Sequence, residues 1–329
     1  MSAARPCVGG ADPAPEARET PLLVSVVICT YNRADLLDRA IRSVVEQPLK
    51  AGTHEIIVVD NGSTDRTREV VRRFESAGSV RYVFEAEMGL CNARNTGWRQ
   101  ARGRYIAYLD DDAIASPGWL AAIEEAFATT PGAGIVGGRV DPVWEAERPA
   151  WLSDDIARSL TILDWSDRPK LILDIRSEWI VGANMAVPAT VLADTGGFHP
   201  WLDRVGTRML SSGDVFLQKQ ILRRGYSCLY HPDMAIQHLV PKSRLEKGWF
   251  VRRYFSQGLS DAAMQLIEET PSIARRVSLA LSMALGLLGS PRKLRNLVSP
   301  GNNPARFTEK CFLMIKVGHI AGLLGALGR

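Results

Sequence analysis

The chain lacks the glycine-rich phosphate loops of the commonest nucleotide enzymes. No Gly-x-Gly-x-x-Gly follows its first apolar run, and no Gly-x-x-x-x-Gly-Lys-Ser/Thr occurs anywhere. A dinucleotide-binding dehydrogenase and a P-loop enzyme each need that backbone cradle, so both are set aside. Cysteine is scarce: Cys7, Cys29, Cys91, Cys228 and Cys311 are widely scattered, and no pair has zinc-ligand spacing. An odd, dispersed set in a chain of 329 residues predicts reduced thiols in a cytoplasmic protein, not a disulfide framework. No uninterrupted apolar run approaches the ~20 residues that span a bilayer. The nearest are Val277–Gly289 and Cys311–Leu327, the latter broken by Lys316 and His319. Residues 1–20 hold Pro6, Pro13 and Pro15 but no apolar core, which predicts a disordered leader rather than a signal peptide. There is no internal repeat.

What is present is an ordinary globular composition, 46% hydrophobic, with an uneven charge. Residues 241–329 carry fourteen Lys/Arg and five Asp/Glu, a net of +9, so the other 240 residues carry −5. A basic tail on an acidic body suits a phosphate-rich or anionic partner, or is simply a solvated helical surface.

Apolar periodicity alternates between strand and helix through the first half. Leu22–Cys29 is a β-branched run, residues 34–46 place Leu36, Leu37, Ala40, Ile41, Val44 and Val45 on one helical stripe, and Glu55–Val59 is a second strand. A helix over Arg66–Phe74, a strand over Val80–Phe84, a helix over Asn92–Ala101 and a strand over Tyr105–Leu109 follow. This predicts an α/β fold with a mostly parallel sheet flanked by helices and a site beyond the strand carboxyl ends. After Pro131 loops and short strands are expected, then a helix over Ser212–Arg224, short strands over Tyr226–Tyr230 and Met234–His238, and a basic helical region from 241 onward.

Each early strand ends in groups suited to a nucleotide. The first ends in Thr30-Tyr31-Asn32-Arg33, the second in Asp60-Asn61, and the central one in Asp110-Asp111-Asp112. Three adjacent carboxylates repel unless a cation neutralises them, and an oxygen-bound divalent ion that also holds a phosphate is the natural choice. Tyr31 can stack on a base, Asp60 or Asn61 can bond its polar edge, and Arg94 can reach a diphosphate. Taken singly, each is also ordinary turn or cap chemistry.

In order and spacing, Val24–Arg33, Glu55–Asp65, Gly89–Gly97 and Gly103–Asp112 resemble glycosyltransferase family 2. Val181–Met185, Gly196-Gly197-Phe198 and Gly213-Asp214 resemble its acceptor-side motifs, and the match covers about residues 22–260. The resemblance implies the GT-A fold, a nucleoside-diphosphate sugar donor, Mn2+ or Mg2+, and inversion at the anomeric carbon. It implies a nucleotide-sugar-binding half over 21–140 and an acceptor-binding half over 141–240, ahead of the helical region 241–329. Carried over by position, Thr30, Tyr31, Asn32, Arg33, Asp60, Asn61, Arg94, Asp110 and Asp111 line the donor site. Asp110 and Asp112 frame an Asp-x-Asp metal element to which His238 contributes. Asp214 falls at the catalytic base, although the usual preceding Glu is Gly213. An Asp here also suits a helix N-cap.

Five of the eight tryptophans fall between 144 and 201, mostly as core, with Trp201, Asp203 and Arg204 expected to line the acceptor site. His199 and His231 are expected to be surface or core residues. No Gln-x-x-Arg-Trp follows the base, which points to transfer of one or a few sugars onto a saccharide or lipid-linked acceptor. Nucleic acid is not an expected partner. A sugar nucleotidylyltransferase would need a basic glycine-rich loop after the first strand, and a catalytically dead scaffold would not need Asp112, Asp214 and His238 together. For the tail two readings stay open. The apolar stretches lie on an anionic membrane at its cytoplasmic face, or they pack on the catalytic domain or on a second subunit of a homo-oligomer.

Overall fold

A computed structural model of the chain describes residues 23–48, 53–76, 78–205, 208–298 and 303–326. The proposed leader over 1–20 lies outside them. The first half runs β1 (Val24–Thr30), α1 (Ala34–Val45), β2 (His54–Asp60), α2 (Thr67–Glu75), β3 (Val80–Phe84), α3 (Leu90–Gln100), β4 (Tyr105–Leu109), β5 (Ala113–Ala115) and α4 (Trp119–Thr129). The second half adds β6 (Ala133–Trp144), α5 (Asp154–Ala157), β7 (Lys170–Leu171), β8 (Asn184–Pro188) and α6 (Ala189–Thr195). Then come β9 (Arg204–Val205), β10 (Arg208–Met209), α7 (Gly213–Arg223) and β11 (Ser227–Val240). Four helices close the chain: α8 (Lys247–Glu269), α9 (Ile273–Leu288), α10 (Pro291–Val298) and α11 (Pro304–Leu323).

Nine strands form one sheet in the order β3-β2-β1-β4-β8-β6-β11-β5, with β7 also on β11. The β3-β2-β1-β4 stretch is parallel throughout. It is built from β-branched runs covered on both faces, as buried parallel strands require. β8 then runs antiparallel between β4 and β6, while β6 and β11 pair in parallel. The line at residue 140 between the two expected halves falls inside β6, so one sheet and its two apolar faces serve both.

Two features of the second half differ from the sequence expectation. The short strands at 226–230 and 234–238 are one strand, β11, whose register shifts between His231 and Ile236. His231 is buried at that irregularity. β6 is a twelve-residue strand in a region expected to hold loops and short strands, because Gly134, Gly137 and Gly138 interrupt its apolar pattern. A Cβ on Gly138 would lie 2.1 Å from the Met234 carbonyl oxygen, so those glycines admit the neighbouring backbone.

The four described cysteines, Cys29, Cys91, Cys228 and Cys311, are free thiols. Trp151 meets Phe250 and Phe307 edge to face, and Trp165 meets Trp179 in the same way. Trp144 also packs in the cluster that joins the sheet to the helical region, leaving Trp201 as the half-exposed member of the five. Of the two apolar stretches in the tail, the second forms most of α11 and packs on α8. A Cβ on Gly258 would sit 1.9 Å from the Ile315 carbonyl oxygen, and one on Gly318 2.0 Å from that of Phe255. Small residues thus let the two backbones touch.

Candidate active site

The three aspartates leave β4 in different directions, each toward its own partner. Asp110 accepts a bond of 3.1 Å from Arg94, a buried side chain on α3. Arg94 lies three residues before Gly97, whose Cα is pressed on Val27 of β1. Residues three apart share a helix face, so Arg94 also looks at the sheet. Burial disfavours its charge, but Asp110 beside it, together with Asp214 and the other groups around it, outweighs this and holds its pKa above the usual value. The sequence reading had Arg94 reaching a diphosphate; here its guanidinium lies under Asp110 and against Gly182.

Asp111 turns toward β1. Its oxygens accept from Thr30 Oγ1 at 2.8 Å and Arg33 at 3.0 Å. Burial pushes this carboxyl up to about 6, against the opposing pull of Arg33. Asp112 accepts from the same Arg33 nitrogen at 2.9 Å and lies 3.2 Å from His238 Nε2. Burial works against its charge as well, but the His238 bond and charge, with Arg33, hold it well below the usual carboxylate range.

The register of the sheet brings His238 there. β5 pairs antiparallel with β11, setting His238 opposite Ala113, and the Leu239 N–H donates to the Asp112 carbonyl at 3.1 Å. Ligand atoms of Asp110, Asp112 and His238 all lie within 4.8 Å of one another. Two carboxylates and an imidazole at that spacing fit a divalent cation. The other ring nitrogen of His238, Nδ1, is buried with no hydrogen-bond partner among the described residues.

The loops after β1 and β2 are tied together beside this cluster. Asn32 adopts a left-handed conformation at φ 54° and accepts from the Thr64 N–H at 2.7 Å, while its own N–H donates to Ser63 Oγ. Asp60 accepts from the Ser63 N–H and the Tyr82 hydroxyl, and Asn61 bonds the Glu85 and Glu87 carbonyls and the Gly89 N–H. Asp60 and Asn61 are therefore buried and held within these loops, while Tyr31, on the loop after β1, is 49% exposed.

Asp214 lies on the other side of Arg94. α7 begins at Gly213 with Ser212 in the N-cap position, so Asp214 stands inside the first turn rather than capping it. Its carboxylate accepts from the Gly182 N–H and the Val215 N–H, each at 2.9 Å. Gly182 connects the two sides. A Cβ there would lie 2.5 Å from both terminal nitrogens of Arg94. The sequence reading placed Gly182 in an acceptor-side motif without assigning it this contact. The signal available was a glycine flanked by apolar residues ahead of a strand, which marks close approach.

The remaining acceptor-side residues separate. Trp201 is 50% exposed on a short 3-10 turn over Pro200–Leu202, where His199 caps the turn. Asp203 is buried and accepts from the Cys91 N–H at 2.7 Å, which places its charge at the positive end of α3. Arg204 opens β9, and its side chain lies outside the described residues. Cys91 also touches the start of α7: a Cβ on Gly213 would be 2.7 Å from its Sγ. The Trp201 turn, the first turn of α3 and the turn bearing Asp214 thus meet at one point.

Residues 25–182 match the family described as glycosyl transferase family 2. That match shows a glycosyl transferase family 2 domain over just under half of the chain. The glycosyltransferase AglE of Haloferax volcanii is 28% identical over 272 residues, covering 82% of each chain. A glucosyl-dolichyl phosphate glucuronosyltransferase of the same organism is 25% identical over 279 residues, covering 84% of this chain and 87% of its own. A mannosyltransferase of Pyrobaculum calidifontis in complex with GDP-mannose and Mn2+ superposes with a TM-score of 0.60 at 21% identity. That alignment covers 92% of this glycosyltransferase and 87% of the mannosyltransferase, and it carries the GT-A fold.

Proposed function

We propose that this glycosyltransferase is inverting and metal-dependent, moving a sugar from a nucleoside diphosphate to a hydroxyl of a saccharide or lipid-linked acceptor. The observation that carries the reading is the junction at Gly182, where Asp110, Arg94 and Asp214 are held in one network. An acceptor hydroxyl attacks the anomeric carbon on the face opposite the diphosphate. The bond from that carbon to the diphosphate oxygen breaks, and Asp214 takes the hydroxyl proton. Asp110, Asp112 and His238 would hold Mn2+ or Mg2+, which supplies positive charge for the leaving diphosphate.

Arg33 is the outermost cation of the cluster, its side chain 42% exposed, and is the group placed to turn from Asp111 and Asp112 onto the diphosphate. Arg94 is held by Asp110 and keeps that carboxylate in place. Tyr31 stacks on the base above Asp60 and Asn61. A lipid-linked acceptor is supported by the relative whose name specifies a glucosyl-dolichyl phosphate.

One set of assays tests both halves of the site. Excess chelator should abolish transfer and Mn2+ should restore it, and full activity in chelator would overturn metal dependence. Asp214→Asn keeps the shape and removes the proton acceptor. Its turnover should fall at least about a hundredfold with donor affinity unchanged. A variant that turns over like the parent would leave Asp214 a structural residue of α7.

A further inference from the structure

We propose that the outer face of α9, with the basic residues around it, docks on an anionic lipid surface. The inference stands on the helical region alone and does not depend on the chemistry assigned to the sheet edge. α9 is one-sided. Ala280 packs with Ala262 of α8 and Leu323 of α11, and Leu279 and Met283 lean on the same cluster. On the opposite side Ile273, Val277, Leu281 and Leu285 recur every fourth residue, and Leu288 ends the row; each is 40–75% exposed. A four-residue repeat on a helix of about 3.6 residues per turn runs along one face. Single exposed leucines need no explanation, but a continuous aliphatic row marks an interaction surface.

The charges say which surface. Between Glu269 and Glu309 the sequence has six cations, Arg275, Arg276, Arg292, Lys293, Arg295 and Arg306, and no Asp or Glu. Arg276 is used within the fold, bonding the Leu323 carbonyl at the end of α11 at 2.8 Å. Arg275 and Arg295 are exposed, and Arg292 stays exposed although it lies 3.6 Å from Glu309. A second copy of this chain is a poor occupant, because a two-fold contact sets each patch against itself and brings these cations together. A spanning segment is a poor occupant too. No described helix is long and apolar enough, α10 turns away from α9 by 91°, and the inner face of α9 is held by α8 and α11. An apolar row bordered by cations suits the headgroup boundary of an acidic bilayer, lying in its plane.

The same helix that carries α9 also reaches the acceptor side. Ser260 of α8 accepts from the Ser211 N–H at 2.9 Å, and Gln257 donates to Ser212 Oγ at 3.2 Å, just ahead of Gly213 and Asp214. On the proposed lipid-linked acceptor, and resting on that reading, docking brings the membrane and the base onto one rigid support.

The test uses the full chain and no substrate, so its outcome is separate from that of the transfer assays. Sedimentation is measured with vesicles of phosphatidylcholine alone and of phosphatidylcholine mixed with phosphatidylserine. Binding is expected only with the mixed vesicles, and it should be lost near ~1 M salt, where the screening length falls to about 3 Å. Leu281→Glu with Leu285→Glu changes two exposed side chains and should abolish binding while leaving the thermal midpoint unchanged. Arg292→Glu with Arg295→Glu should weaken it at least about tenfold, each cation near acidic lipid counting roughly fivefold. Absence of binding to the mixed vesicles at low salt overturns the proposal, as does binding that survives the Leu281 and Leu285 changes. A dimer in sedimentation velocity that those two changes dissociate assigns the face to a second copy and also overturns it.

Discussion

At the carboxyl edge of the sheet each carboxylate of the triplet meets a cation within hydrogen-bond range. Asp110 faces Arg94, while Asp111 and Asp112 share Arg33, and Asp112 also faces His238. On α9 and α10 five cations accumulate with no acid among them, and an aliphatic row beside them is left uncovered. The first region is closed electrostatically. Its charges are paired at the edge of the sheet, with Arg94, Asp111 and His238 buried and Arg33 as the exposed outer member. The second is open, with Arg275, Arg292 and Arg295 exposed. Salt therefore separates the two: buried pairs are screened weakly and exposed ones strongly. Donor turnover should tolerate ionic strength that removes any surface docking.

The sharpest way to break the closed region is Gly182→Ala. The new methyl would fall 2.5 Å from two nitrogens of Arg94, a planar group already clamped by Asp110, and the Gly182 N–H also holds Asp214. Neither neighbour can yield without moving a carboxylate of the site. Turnover should fall about tenfold to a hundredfold, as a displacement near 1 Å can cost. Stability should fall by about 1–3 kcal/mol, the usual result of overpacking. Steady-state rates and thermal unfolding check this. A variant matching the parent in both would mean that Arg94 does not couple the two halves.

The closed region was largely legible in the sequence, because its elements are local. β3 and β4 begin and end where the apolar runs at 80–84 and 105–109 do, and the polar ends of β1, β2 and β4 converge as parallel strands must. What could not be read were the long-range registers. The resemblance put His238 with Asp112, but no local pattern showed the register that joins them, β5 pairing with β11 across more than a hundred residues of chain. That Arg94 supports Asp110 rather than standing free depends on how closely Gly97 packs on Val27. β6 was hidden by the glycines that let it fit, and β11 was split in two by its own irregularity. In the open region the helices and their charge were visible in the sequence. Which apolar stretch is covered was not: α11 is sealed by glycine contacts with α8, while α9 keeps an uncovered side.

A smaller effect comes from loosening the support of the open region. Gly258→Ala would set a methyl 1.9 Å from the Ile315 carbonyl oxygen and 2.6 Å from the His319 nitrogen. Both are backbone atoms, so α8 and α11 must separate. A loss of about 1–3 kcal/mol is expected. The proposed donor site lies at the ends of β1, β2 and β4 and does not use this contact, so nucleotide affinity should stay at the parental value. Calorimetry and a nucleotide titration separate the two results. Weakened nucleotide binding in a folded variant would show that the helical region reaches the donor pocket.

The smallest effect, and the one that separates two kinds of exposed apolar residue, is expected at Trp201. It is 50% exposed on a turn that shares the Cys91 contact point with the start of α7, where Asp214 lies, whereas Leu285 is 69% exposed on α9. An aromatic face suits the apolar side of a sugar ring, and such contacts contribute about 0.5–1.5 kcal/mol. Trp201→Ala should therefore raise the acceptor KM by roughly three- to tenfold, leave donor affinity and the thermal midpoint unchanged, and leave vesicle sedimentation unchanged. Leu285→Ala should do the reverse, lowering sedimentation without moving the KM of a soluble acceptor. If Trp201→Ala lowers vesicle binding instead, the aromatic turn belongs to the docking surface, and the boundary drawn between the two regions lies in the wrong place.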